Sequence, residues 1–341
     1  MIKIKIVAVF AMFFCITDLL YGQDPNFSQF FSSPLNINPA LTANINSDWR
    51  IISNLRNQWS GPANPYVTGT ISYDSKIFQN KILNVPENNS TVGIGGMLMY
   101  DRAMAGVVKS TYASLNLSYN IKLADNEVSK HRLGAGFGVN YGRRFVDFDR
   151  LNFEEQFTGF GFDTNLPTHE YALSNMKAYF SVNAGITYSF SNENSNIDIG
   201  VAGFHLNGPK QTFLQDENQY LAVRKVVHAN YETFINENLV LNTNGVYQYQ
   251  SNAKYFSVGA SLGHYISKES STMINGGLWY WSKNALIPYF GLTVQDFQFG
   301  ISYDLTISKL SQAERRPHSW ELSLIHRGIK KSSGIIPCPW K

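Results

Sequence analysis

The sequence predicts an all-β chain, a transmembrane antiparallel β-barrel of about 14 strands, preceded by an N-terminal segment that packs in or near its lumen. Three observations carry this. Apolar and polar residues alternate with period two over runs of roughly 9–13 residues, where an ordinary strand has about 5–6. About fourteen such runs follow one another, and an even count closes a barrel with both ends on one side. A secretory signal opens the chain, and no later stretch of about 18 apolar residues follows that could form a transmembrane helix.

Residues 1–22 form the signal: Lys3 and Lys5 precede an uncharged apolar run from Ile6 to Ile16, and Tyr21-Gly22 leads into a polar stretch. A lipoprotein attachment at Cys15 is disfavoured, because bulky Phe14 stands where a small residue is needed. Removal of the signal leaves Cys338 as the one remaining cysteine, so neither an intramolecular disulfide nor a cysteine metal site is expected. Export without a helical anchor places the barrel in the outer membrane, where lipid demands closure because it offers no water to a free sheet edge. Composition alone allows a secreted β-rich chain that is either a membrane barrel or a sandwich: 14% aromatic residues, 26 glycines and only 16% charged residues, against about 25% charged in a soluble domain; the long period-two runs decide for the barrel. A formal net charge of +3 excludes a strongly basic nucleic-acid binder.

The barrel is expected over 48–328, with runs near 48–58, 66–74, 91–101, 108–121, 130–141, 177–190, 197–206, 226–236, 239–250, 255–266, 272–281, 284–294, 297–304 and 318–328. In the fourth run Thr111, Ala113, Leu115, Leu117, Tyr119 and Ile121 share one face, while Tyr112, Ser114, Asn116, Ser118 and Asn120 share the other. Phe180 to Phe190 and Phe297 to Leu305 repeat this pattern. With both termini periplasmic, the longest connections, about 142–176 and 207–225, fall outside and tight turns such as Gln295-Asp296 fall inside. The connection over 75–90 is longer than an inner turn should be, which leaves room for a count different by two. Tyr73, Tyr100, Tyr119, Tyr188, Trp279 and Trp281, near run ends, are expected at the membrane–water interface.

Residues 23–47 lack clean alternation but carry Phe27, Phe30, Phe31, Leu35, Ile37 and Leu41, so they should pack against the lumen or the periplasmic mouth. Asp24-Pro25-x-Phe27-Ser28-Gln29-Phe30, then Ser33-Pro34-Leu35 and Asn38-Pro39-Ala40, resembles the opening signature of the PorP/SprF family. Arg56-Asn57-Gln58-Trp59, the Phe- and acid-rich stretch Asn152–Phe160, and the ending Ile336-Pro337-Cys338-Pro339 are similar to that family as well. The resemblance implies a non-enzymatic outer-membrane component of type IX secretion and gliding machinery. The implied partners are a secreted cargo protein, such as an adhesin, with a type B C-terminal sorting domain, and periplasmic secretion-system components. Asp24, Pro25, Phe27, Gln29, Phe30, Pro34, Asn38 and Pro39 are the candidate plug residues, prolines holding an extended path. Arg143, Arg144, Arg150, Glu154 and Glu155 are candidates for docking a partner at the outer loop, the alternative being a solvated loop that meets lipopolysaccharide or no particular partner, and 329–341 is expected as a periplasmic tail.

Catalytic, cofactor and metal sites find no support. The seven histidines make no H-x-x-x-H or H-E-x-x-H pattern, and no G-x-S-x-G nucleophile motif occurs. His264 and His326 fall on apolar faces and read as structural. Gly134-x-Gly136-x-Gly138 lies inside an alternating run with no helix after it, so close packing or barrel curvature is expected rather than nucleotide binding. The competing function is a passive diffusion channel or solute uptake barrel, in which residues 23–47 would be displaced.

Overall fold

A computed structural model describes residues 24–61, 63–77, 90–125, 128–168, 176–211, 219–267, 269 and 271–328. The expected signal and C-terminal tail, Cys338 included, lie outside them. Among the described residues there are fourteen strands. The first seven are β1 (Trp49–Ser60), β2 (Tyr66–Ile77), β3 (Thr91–Ala103), β4 (Val108–Asp125), β5 (Ser129–Val146), β6 (Tyr179–Asn192) and β7 (Ser195–Phe204). The second seven are β8 (Arg224–Asn236), β9 (Leu239–Gln250), β10 (Ala253–Ser267), β11 (Thr272–Trp281), β12 (Ala285–Val294), β13 (Phe297–Thr306) and β14 (His318–Gly328). Each expected run coincides with one strand, and β2 pairs directly with β3, so the described residues give the expected count of fourteen.

Every strand pairs antiparallel with its sequence neighbours, and β1 closes the barrel on β14 from Trp49↔Gly328 to Ser60↔His318. Gly328 is required at that seam, since a Cβ there would lie 2.0 Å from the Trp49 indole Nε1. The tight turns share one mechanism. Asn192 accepts from the Asn194 and Ser195 backbone N–H groups, and Asn236 does the same for Asn238 and Leu239. Such Asx turns reverse the chain with the side chain replacing a backbone acceptor. These turns lie at one end of the barrel, and the long connections after β5 and β7 at the other.

The period-two pattern sorts the faces as expected. Leu115, Leu117, Phe180, Ile186, Phe299 and Ile301 are exposed on the outer wall, whereas Ser114, Asn116, Ser118, Ser181, Asn183 and Gln298 are buried inside. His264 and His326 point outward, His326 stacking on Phe297 with ring centroids 4.1 Å apart. Two elements depart from the reading. β4 and β5 are 18 residues each and extend past their apolar stretches. Trp279 and Trp281 do not sit at the membrane interface: they are 1% and 7% exposed and face the lumen. They share a face with Met273 and Asn275 in the alternation of β11, and aromatic residues from the N-terminal segment meet them there.

Candidate interaction site in the barrel lumen

Residues 24–48 run through the lumen from end to end. Asp24 lies beside Gln250, His205 and Arg224, at the long-loop end of β9, β7 and β8. Asp48 bonds Gly328 and Lys76 backbone groups at the opposite end, where β1 begins. The start of the segment is therefore at the mouth opposite the start of β1, where its carboxylate meets Arg224 and the His205 ring.

The path is built from short turns. Phe30–Ser32 is a 3₁₀ turn, Pro34–Ile37 a single α-helical turn and Pro39–Leu41 a second 3₁₀ turn. Pro34 and Pro39 do not hold an extended path as expected: each opens a helical turn, where the missing N–H is not needed. Asn38 caps the last turn, its Oδ1 accepting from the Ala40 N–H at 2.8 Å.

On the β1–β14–β13 side the anchor is charged. The Ser28 and Gln29 N–H groups donate to the two Glu321 carboxylate oxygens at 2.7 and 3.2 Å. Arg56 pairs with Glu321 at 3.0 Å and Asp304 at 2.7 Å, and also donates to the Ser28 hydroxyl, which itself donates to Asp304. Gln29 makes three side-chain bonds: its Nε2 donates to Ser302 and the Glu321 carbonyl, and its Oε1 accepts from Ser323. Arg56, Gln29 and Glu321 are at most 1% exposed. Trp281 lies 5.2 Å from the Arg56 guanidinium, a cation–π contact.

Two apolar contacts flank this anchor. Phe27 and Leu35 pack with Met97 and Met99 of β3. Phe30 joins the cluster around Trp279, Trp281, Ile287 and Tyr289, and Phe31 packs on Trp279 at 4.8 Å. Burying a large side chain contributes about 1.5–3 kcal/mol, so these rings supply a large share of the segment's attachment.

On the β5–β6–β7 side the anchor is neutral and close. The Asn38 amide donates to the Ile186 and Val201 carbonyls and meets His228 Nε2 at 3.0 Å. A Cβ on Gly136 would lie 2.2 Å from the Ala40 nitrogen, and one on Gly185 would lie 2.1 Å from Asn38 Oδ1. The glycine in the middle of the Gly134–Gly138 run thus admits the segment's backbone. Further along, Thr42 accepts from Ser118, and the Ala43 N–H donates to Asp74, which Arg50 clamps through two bonds of 2.7 and 3.0 Å.

Asp24 at the far mouth is held by electrostatics. Burial pushes its carboxyl up, but His205 at 2.8 Å and Arg224 at 3.1 Å outweigh that and hold it well below the usual carboxylate range. Pro25 is half-buried. Of the eight candidate plug residues, all but Pro25 thus have a defined partner or a buried place.

The outer-loop candidates do not converge. Arg143 and Arg144 belong to β5, Arg143 outward and exposed, Arg144 inward with its Nε bonded to Ser110. Arg150 donates to the Ala105 carbonyl at 3.2 Å, while Glu154 and Glu155 lie exposed on a separate 3₁₀ turn. The residues overlooked in the sequence are Asp304, Glu321, His205, Arg224 and Asp74. A signal was present: a charge on the polar face of a spanning strand sits inside the barrel and must be paired there.

A family model described as type IX secretion system membrane protein PorP/SprF matches residues 19–325. No curated protein is significantly similar in sequence. Among solved structures, a deltaS2 mutant of the TodX monoaromatic hydrocarbon channel is 10% identical with TM-score 0.52, over 86% of this chain and 93% of that one. A FadL homologue of Pseudomonas aeruginosa is 11% identical, TM-score 0.42, over 85% and 92%. CdiB from Acinetobacter baumannii is 8% identical, TM-score 0.45, over 82% of this chain, which spans 60% of CdiB.

Proposed function

Since the chain belongs to the PorP/SprF family of type IX secretion system membrane proteins, we propose that it acts as a closed outer-membrane platform rather than a solute pore. In this reading the long loops face outward and hold a secreted adhesin-type cargo carrying a type B sorting domain. The tight-turn mouth faces the periplasm and contacts secretion and gliding components there. Asp24, Pro25, Phe27, Gln29, Phe30, Pro34, Asn38 and Pro39 keep the lumen closed, and Glu154 and Glu155 of the outer loop lie nearest the cargo.

The observation that supports a platform is the buried segment: Gln29 and Asn38, at 1% and 0% exposed, have their polar groups matched by the wall. A passing solute would have to break those bonds. A second reading, a diffusion channel, rests on a cavity of about 80 Å³ between the segment and β7–β9, lined by Phe30, Leu41, Asp198, His228 and Asn244.

The test is capture of the tagged protein from detergent-solubilised outer membrane, with partners identified by mass spectrometry, alongside conductance of the reconstituted barrel. The platform reading expects a large protein with a C-terminal sorting domain, periplasmic components, or both, and no steady current. Steady conductance with neither partner would replace it by the channel.

A further inference from the structure

At the long-loop end of β3–β5 the outer wall carries four cations close together. Arg102 of β3 and Lys109 of β4 are direct cross-strand partners on the outward face. Lys109 stands opposite Phe145, and Arg143 shares that face two residues along β5. Arg150 folds back from the following loop to the Ala105 carbonyl. A Cβ on Gly106 would lie 3.3 Å from Arg102 Cδ and 3.6 Å from Arg150 Nη1, so both arginine side chains converge there. Like charges directly opposite on a sheet are destabilising. The ion pairs found among the described residues include none of these four, so the cluster is complementary to an anion from outside the chain.

The wall just below is grooved. Gly96 and Ala113 leave a floor between Leu98, Leu115, Tyr141 and Phe180, a groove of about 750 Å³ open on the lipid side. The groove runs into the cations in register: Leu98↔Ala113, then Tyr100↔Thr111, then Arg102↔Lys109. From Leu98 to Arg102 is about 13 Å at the usual rise of a strand, the span between an acyl chain and its headgroup.

We infer that this face binds a phosphorylated, multiply acylated lipid of the outer leaflet, of the lipid A class, with phosphates on Arg102, Lys109, Arg143 and Arg150 and an acyl chain in the Gly96–Ala113 groove. Arginine suits the role because its planar fork matches phosphate oxygens. A lipid rather than a free phosphate is the occupant, because groove and charge are continuous. The inference rests on the long loops facing outward, and not on the cargo reading.

The experiment is native mass spectrometry of the delipidated full-length protein titrated with diphosphoryl lipid A, dephosphorylated lipid A, phosphatidylethanolamine and inorganic pyrophosphate. Heat-modifiable gel mobility certifies that each variant is folded. Diphosphoryl lipid A is expected to bind at least about tenfold more tightly than the other three. R102Q/K109Q/R143Q should lower that affinity tenfold or more, and Ala113→Trp should lower it with the charge intact. K225Q/K254Q, which removes two outward cations at the same end but away from the groove, should leave it unchanged. Equal binding of pyrophosphate, an undiminished triple variant, or an equal loss in K225Q/K254Q would overturn the site. Orientation is read separately, by impermeant maleimide labelling of Phe160→Cys on intact cells. Failure to label would remove the outer-leaflet assignment while the affinities still report on the site.

Discussion

The two sides of the lumen hold the same segment by different physics. On the β1–β14–β13 side Arg56, Asp304 and Glu321 form a buried charged cluster around Ser28 and Gln29. On the β5–β6 side Gly136 and Gly185 let the Pro39–Ala40 backbone and the Asn38 amide touch the wall. The first anchor is strong only while every charge is paired, since a buried ion left alone is costly. The second depends on shape and needs little desolvation. A segment pinned both ways is fixed in position by charge at one point and in register by close contact at another.

The largest expected effect is at the charged anchor. Arg56→Ala should cost about 3–5 kcal/mol, because it strands Asp304 and Glu321 in the barrel. The denaturant midpoint of the detergent-solubilised protein measures it. Replacing all three by apolar residues of similar size should cost less than the single change. If the triple variant is the weaker one, the cluster contributes attraction beyond its mutual compensation.

The neutral anchor should give less. Gly136→Val places side-chain atoms on the Pro39–Ala40 backbone and should cost about 1–3 kcal/mol. Its signature is local: proteolysis of residues 24–47 should rise while the barrel keeps its heat-modifiable mobility. Loss of the whole barrel instead would mean that the segment and the wall unfold as one unit.

At Asp24 the expected effect is of similar size, about 1.5–3 kcal/mol for a charge-assisted bond. Its folded-state pKa is depressed below the ordinary value of 3.8. Its contribution is therefore complete above that value and disappears as pH falls through the lower folded value. Asp24→Asn should show the same extra exposure of the segment at pH 5 and pH 7, and match the wild type only in strong acid. A difference that already closes between pH 7 and pH 5 would mean that Asp24 is not held below its ordinary pKa in the folded barrel.

Alternation determined the strands, their faces and their number, because a barrel wall between lipid and a polar lumen writes a period of two along each crossing. It failed where that contrast fails. For Trp279 and Trp281 the sequence points to the membrane interface and the fold to the lumen, because aromatic residues are favoured both at that interface and in a packed interior. Proline and phenylalanine content marked 23–47 as a packing segment, and the order of its residues marked its family. Only the tertiary structure decided where the segment goes and what holds it. Arg56 meets Glu321 across 265 positions of sequence, and Asn38 meets Val201 across 163. Closure of the sheet brings such residues together, and local spacing carries no record of it. Gly136 shows the division most plainly. In the sequence it is one of three alternating glycines, and in the folded barrel it is the place where a second backbone lies against the wall.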